Sequence, residues 1–113
     1  MRSIEENKMI LDFKKRLVAA LYEAKVKDDE IITLLLKYGY MDEDEALMLL
    51  RNEKIVEAPC RNLYQYLILN KYTDEKEADK FIHNKARSAL SNNMELSKLS
   101  PAKLYDEIKG CTN

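Results

Sequence analysis

The chain holds no tryptophan, two glycines, two prolines, two cysteines and one histidine among its 113 residues. So few breakers leave little room for the tight turns of a sandwich or barrel, whereas a chain rich in Leu, Lys, Glu and Ala suits helices. Cys60 and Cys111 are too few for a disulfide scaffold and are expected as reduced thiols. Charge of one sign is also missing, since 19 basic and 20 acidic residues give a formal net charge of -1. No global pull toward DNA, RNA or anionic lipid follows from that balance. Long apolar runs are absent as well. The densest, Ile31-Ile32 with Leu34 to Leu36, falls far short of the roughly 20 residues of a membrane span. Glu5, Glu6, Asp12 and Lys14 interrupt the early apolar residues, so no secretory signal is read and a cytosolic protein is expected.

Catalytic and metal-binding patterns are equally scarce. His83, with Asp79 four residues earlier, has no nucleophile or open metal site beside it. Cys60, Cys111 and His83 lack the paired short spacing of zinc ligands. Asp42, Asp44 and Glu53 stand at positions 1, 3 and 12 of a calcium loop, yet Leu47 replaces the glycine such a loop requires. No Gly-rich phosphate loop, nucleophile elbow or HExxH sequence occurs. The expectation is a non-enzymatic chain without cofactor or metal.

What is present is helix. The composition is 46% hydrophobic and 35% charged, which excludes disorder. Ser3-Ile-Glu-Glu6 has the form of a capping box and opens a helix expected to reach about Val26. At about 100° per residue, Met9, Ile10, Phe13, Leu17, Ala20, Leu21 and Ala24 form one broad stripe, read as the core face. Leu11, Val18 and Tyr22 form a narrower second stripe, read as a partner surface. A second helix starts at Asp28-Asp29-Glu30, with Gly39 as its expected left-handed stop. A third begins at Asp42-Glu43-Asp44-Glu45 and runs to about Asn52. Residues 53–58 read either as a helical extension or as a linker, and Pro59 as the first turn of a fourth helix. Thr73-Asp74 opens a fifth, to about Ser91, and Ser100-Pro101 a sixth that Gly110 closes. The predicted fold is therefore all-α: a single domain, a compact bundle of about six helices, with the long helix in 1–27, two hairpin-like copies in 28–92, and a loop and short helix in 93–113.

The two copies come from a shift of 32 residues, which places Leu35 on Leu67, Tyr40 on Tyr72, Asp42 on Asp74, Glu43 on Glu75, Glu45 on Glu77, Ala46 on Ala78 and Asn52 on Asn84. Either a duplicated helix-turn-helix hairpin or shared capping chemistry explains the match. Ile31 to Asn52 also resembles the first two helices of ubiquitin-associated domains, with Tyr38-Gly39-Tyr40 in place of their apolar-Gly-aromatic loop. The resemblance covers about a third of the chain. Tyr38 stands where that family has Met, and the spacing to the next helix, Asn62 to Asn70, is long. It implies a three-helix packing unit with Asn62 to Asn70 as the third member, and nothing about function.

Two helices, 29–38 and 62–70, carry apolar residues around most of their circumference, and such helices need cover on all sides. One small bundle encloses about one of them. The expected function is therefore docking of a protein partner, with homo-oligomer formation, through Leu11, Val18, Tyr22, Tyr64 and Tyr66 and an acidic surface at Asp42 to Glu45. The partner could itself be a nucleic-acid-binding protein, and the size and composition fit an inhibitor or accessory factor of a phage or plasmid. The alternative is a small DNA-binding regulator reading through the 74–92 helix with Lys76, Lys80, Lys85 and Arg87.

Overall fold

A computed structural model of the chain describes residues 4–71 and 74–110. The described residues are predominantly helical, with no strand among them. Seven α-helical stretches occur: α1 (Ile4–Glu23), α2 (Asp28–Tyr38), α3 (Glu43–Asn52), α4 (Ala58–Asn70), α5 (Glu75–Phe81), α6 (Arg87–Asn92) and α7 (Pro101–Gly110). They make five separate helices, because α3 runs into α4 through a π turn at Glu53–Glu57, and α5 into α6 through another at Ile82–Ala86. A short 3-10 turn, Met94–Lys98, precedes α7.

The count of five corrects the expected six, and proline explains the difference. Pro59 lacks an N–H and its ring crowds the carbonyl four residues back, which ordinarily breaks a helix. Here the wider π turn comes immediately before it, so the helical run 43–70 passes the proline without a break. The ambiguous residues 53–58 are thus the extension rather than the linker.

The chain divides into two compact units, Met1–Glu53 and Lys54–Asn113. Each has its own core. In the N-terminal unit Val18, Ile31, Leu35, Met41, Ala46 and Leu50 are buried together, with Leu17, Leu21, Tyr22, Val26, Ile32 and Leu49 packed around them. In the C-terminal unit α7 supplies Leu104, Tyr105 and Ile108 to a core that includes Cys60, Leu63, Leu67, Ala78, Phe81, Ile82, Ala86 and Leu90. Tyr105 packs its ring on Phe81 at 5.2 Å and on Tyr66 at 6.3 Å. Each all-round apolar helix therefore has a unit to itself, and the premise that one bundle had to enclose both does not hold.

The hairpins α2–α3 and α4–α5 share their main buried positions at the 32-residue shift. Ile31 and Leu63, Leu35 and Leu67, and Ala46 and Ala78 are all completely buried, and Leu50 and Ile82 are buried too. Asp42 caps α3 by accepting from the Glu45 amide at 2.9 Å, and Asp74 caps α5 by accepting from the Lys76 amide at 2.9 Å. The Gly39 amide donates to the Leu35 carbonyl at 2.8 Å, as the Lys71 amide does to Leu67 at 2.9 Å. Tyr72 and Thr73 of the second copy, the Ser3 capping box and Cys111 lie outside the described residues.

α1 ends earlier than predicted, at Glu23. Lys25 adopts a left-handed φ of 62°. Its amide donates to Tyr22 and that of Val26 to Leu21, closing the helix in a Schellman turn without a glycine. The hairpin in the N-terminal unit thus gains α1 as its third helix, not 62–70 as the ubiquitin-associated pattern implied.

Candidate functional site

α1 carries apolar side chains over more of its circumference than one neighbour can cover. The buried direction lies between the two stripes read from the sequence. It takes Leu17 and Leu21 from one, and Val18 and Tyr22 from the other. Met9, Phe13, Ala20 and Ala24 of the broad stripe are left outside. Val18 is buried and so is not available as the partner surface assigned to it, while Tyr22 packs on the core and is half-buried. Leu11 alone of that stripe stays exposed. Tyr64 and Tyr66 pack against the core of the C-terminal unit and are only half-open.

The displaced residues build a groove instead. Met9, Ile10, Phe13 and Lys14 of α1 face Gly39 and Tyr40 across a cavity of about 480 Å³. Met9 is 70% exposed, Phe13 51% and Tyr40 87%. Tyr40 holds a left-handed φ of 54°, whereas Gly39, predicted to take that conformation, has a φ of -95°. Gly39 is needed for space. A Cβ there would lie 2.7 Å from the Leu35 carbonyl oxygen and 2.7 Å from Met41 Cε. The strain of a non-glycine left-handed residue is taken instead by an exposed tyrosine at the groove, the kind of position where strain and function coincide.

Charge around the groove is mixed, with a small acidic excess along the chain. Lys14, the cation among the described residues that line it, is 2.9 Å from Glu45 Oε1 and bridges α1 to the first turn of α3. That pairing removes Glu45 from the acidic surface read at 42–45. Asp42 is a helix cap, and Glu43 and Asp44 stand exposed just beyond Tyr40 in the chain. Glu5, one turn before Met9 on the same face of α1, is exposed as well.

The basic residues read as nucleic-acid contacts fare unevenly. Arg87 forms a fork with Glu57, Nη1 to Oε2 at 2.9 Å and Nη2 to Oε1 at 2.5 Å, and so is committed to holding the two π turns together. Two of its N–H groups are thereby engaged, which leaves less of Arg87 for a phosphate. Lys80 lies 3.8 Å from Glu77, and Lys85 reaches over the Phe81 ring at 5.9 Å. Lys76 is exposed. Cys60 is buried, and burial pushes its thiol up to about 11. Among the described residues no group of three or more His, Cys, Asp or Glu side chains is placed to hold a metal ion, and no helix is long and apolar enough to cross a membrane.

Sequence reasoning missed Met9, Phe13 and Tyr40. The signal was the width of the apolar arc on α1, which has two candidate core directions. The choice between them depends on where α2 and α3 sit. No family model, curated protein or solved structure matches the chain.

Proposed function

We propose that the chain is a non-enzymatic binding protein that docks a protein partner through the apolar surface of its N-terminal unit, and that its two hairpins are duplicates. One comparison carries the reading. On the outer face of α3, Leu47 is 48% exposed and Met48 67%. At the equivalent positions of the second hairpin the residues are Asp79 and Lys80, exposed and polar. On the outer face of its second helix the hairpin is thus polar in one unit and apolar in the other, while on the first helix the order is reversed at one position, where Leu69 is 82% exposed and its counterpart is Lys37. The second hairpin folds with polar residues there, at Asp79 and Lys80, so Leu47 and Met48 are read as kept apolar for a partner. Like Met9, Phe13 and Tyr40 at the groove, they are exposed apolar side chains of the kind that mark interaction sites.

The DNA-reading alternative draws less support, because Arg87 is engaged and the first turns of α3 and α5 are acidic. Self-association is an outcome of experiment: most of each central helix is covered within its unit, while Leu36 on α2 and Leu69 on α4 stay 43% and 82% exposed.

The test is a photo-crosslinking phenylalanine analogue placed in turn at Phe13, Met48 and Lys80 in the native host. Discrete protein adducts from 13 and 48 but not from 80, with the purified partner then losing affinity for Phe13→Ser, support the reading. Adducts from 80 alone, or recovery of DNA rather than protein, overturn it.

A further inference from the structure

We infer that the occupant of the groove is an amphipathic helix bearing lysine or arginine, contributed by the partner protein. The inference rests on the docking reading above and adds the chemistry of what docks. The shape of the occupant follows from hydrogen bonding. The groove offers side-chain carbon from Met9, Ile10 and Phe13 and the ring of Tyr40, while the ammonium group of Lys14 is already taken by Glu45. The unit has no strand edge among its described residues to pair with an extended segment. A peptide entering such a surface must therefore satisfy its own backbone groups, because unpaired buried N–H and C=O groups are costly. A helix does so. Helix-in-groove docking reads apolar anchors at i, i+3, i+4 and i+7, and flexible methionine adapts to their shape.

The charge of the occupant follows from the rim. The Lys14–Glu45 pair adds no net charge. Beyond that pair, the chain within four positions of the lining residues carries six acids and four bases, with Glu5, Glu43 and Asp44 exposed among the acids and Lys8 and Lys37 among the bases. Residues 1–53 as a whole contain 12 acidic and 9 basic residues. A basic segment is drawn to this side and an acidic one repelled, chiefly through the association rate and in a salt-dependent way. The polar face of the docked helix should therefore bear Lys or Arg toward α1's first turns and the start of α3.

The experiment is fluorescence anisotropy of the full chain with three labelled synthetic peptides of equal length: a Leu/Lys amphipathic helix, the same helix with Glu for Lys, and a Leu/Lys peptide broken by prolines. The Leu/Lys helix should bind at least about tenfold more tightly than either other peptide, a difference of ~1.4 kcal/mol or more. Its affinity should fall with salt. Met9→Ser with Phe13→Ser should abolish the binding. Glu43→Gln with Asp44→Asn should weaken it several-fold and flatten the salt dependence, and Lys80→Ala should leave it unchanged. All these positions are exposed, and circular dichroism of each variant checks that it folds. Equal binding of the three peptides, or binding indifferent to Met9 and Phe13, overturns the inference. So does a dimer on sedimentation that Phe13→Ser dissociates, which makes a second copy the occupant. A protein adduct at Phe13 whose crosslinked segment is neither helical nor basic sinks this inference and leaves the docking reading standing. Absence of adducts at 13 and 48 sinks the docking reading itself.

Discussion

Gly39 and Tyr40 divide between them what a single glycine usually does at a helix end. Gly39 supplies the space and Tyr40 supplies the left-handed turn. Gly39→Ala forces a carbon against the Leu35 carbonyl and Met41, and should cost about 1–3 kcal/mol in denaturant unfolding, as overpacking does. Tyr40→Gly should act in the opposite direction. Relieving a non-glycine left-handed residue is worth about 1 kcal/mol, so unfolding should shift toward greater stability while partner or Leu/Lys-peptide affinity falls with the lost ring. A variant both less stable and equally competent to bind would refute that division of roles. Cys60 gives a pH test. Its thiol titrates near 9.0 when unfolded and is pushed up to about 11 by burial in the fold. Between those values the folded chain holds a proton that the unfolded chain has lost, so stability declines as pH rises from about 9 to about 11. Cys60→Ala should show a shallower decline over that window when midpoints are compared at pH 8 and pH 11, values taken as about one unit below the window and its top.

At the scale of the helices, much was legible in the sequence and the rest was hidden for identifiable reasons. Asp42 and Asp74 mark the starts of α3 and α5, and the alternation of acids and apolar residues the hairpins. Those signals are local, so they survive without tertiary information. Pro59 misleads because its ordinary effect, ending a helix, is absorbed by a π turn whose presence no residue announces. Lys25 hides the end of α1 because its left-handed turn lacks the usual glycine. Arg87 reads as a surface cation until Glu57, 30 residues away, is found in its fork. Because the pair is bidentate and half-buried, Arg87→Ala should destabilise the C-terminal unit by roughly 1–3 kcal/mol. Hydrogen exchange should quicken first at the amides of Glu53–Glu57 and Ile82–Ala86. Unchanged protection of both turns would show that the fork does not hold them.

For the whole molecule, the informative fact is an inequality between two matched hairpins. Both bury the same set of positions, Ile31 with Leu63 and Leu35 with Leu67, so truncating Leu35 or Leu67 to Ala should cost about 2–5 kcal/mol in either unit. Their outer faces differ. The groove itself was not readable from the sequence, since periodicity identifies how much apolar surface α1 has but not which part its neighbours cover. The polar pair Asp79–Lys80 shows what the hairpin tolerates outside. Leu47 and Met48 show what the N-terminal unit keeps there. The most direct measurement is the denaturant unfolding midpoint of a variant carrying Leu47→Asp and Met48→Lys, which transplants the polar pair onto the apolar face. If these side chains serve a partner, stability should stay within about 0.5 kcal/mol of the parent, as for surface substitutions in general. A loss above about 2 kcal/mol would mean that they hold the fold together, contradicting a docking role.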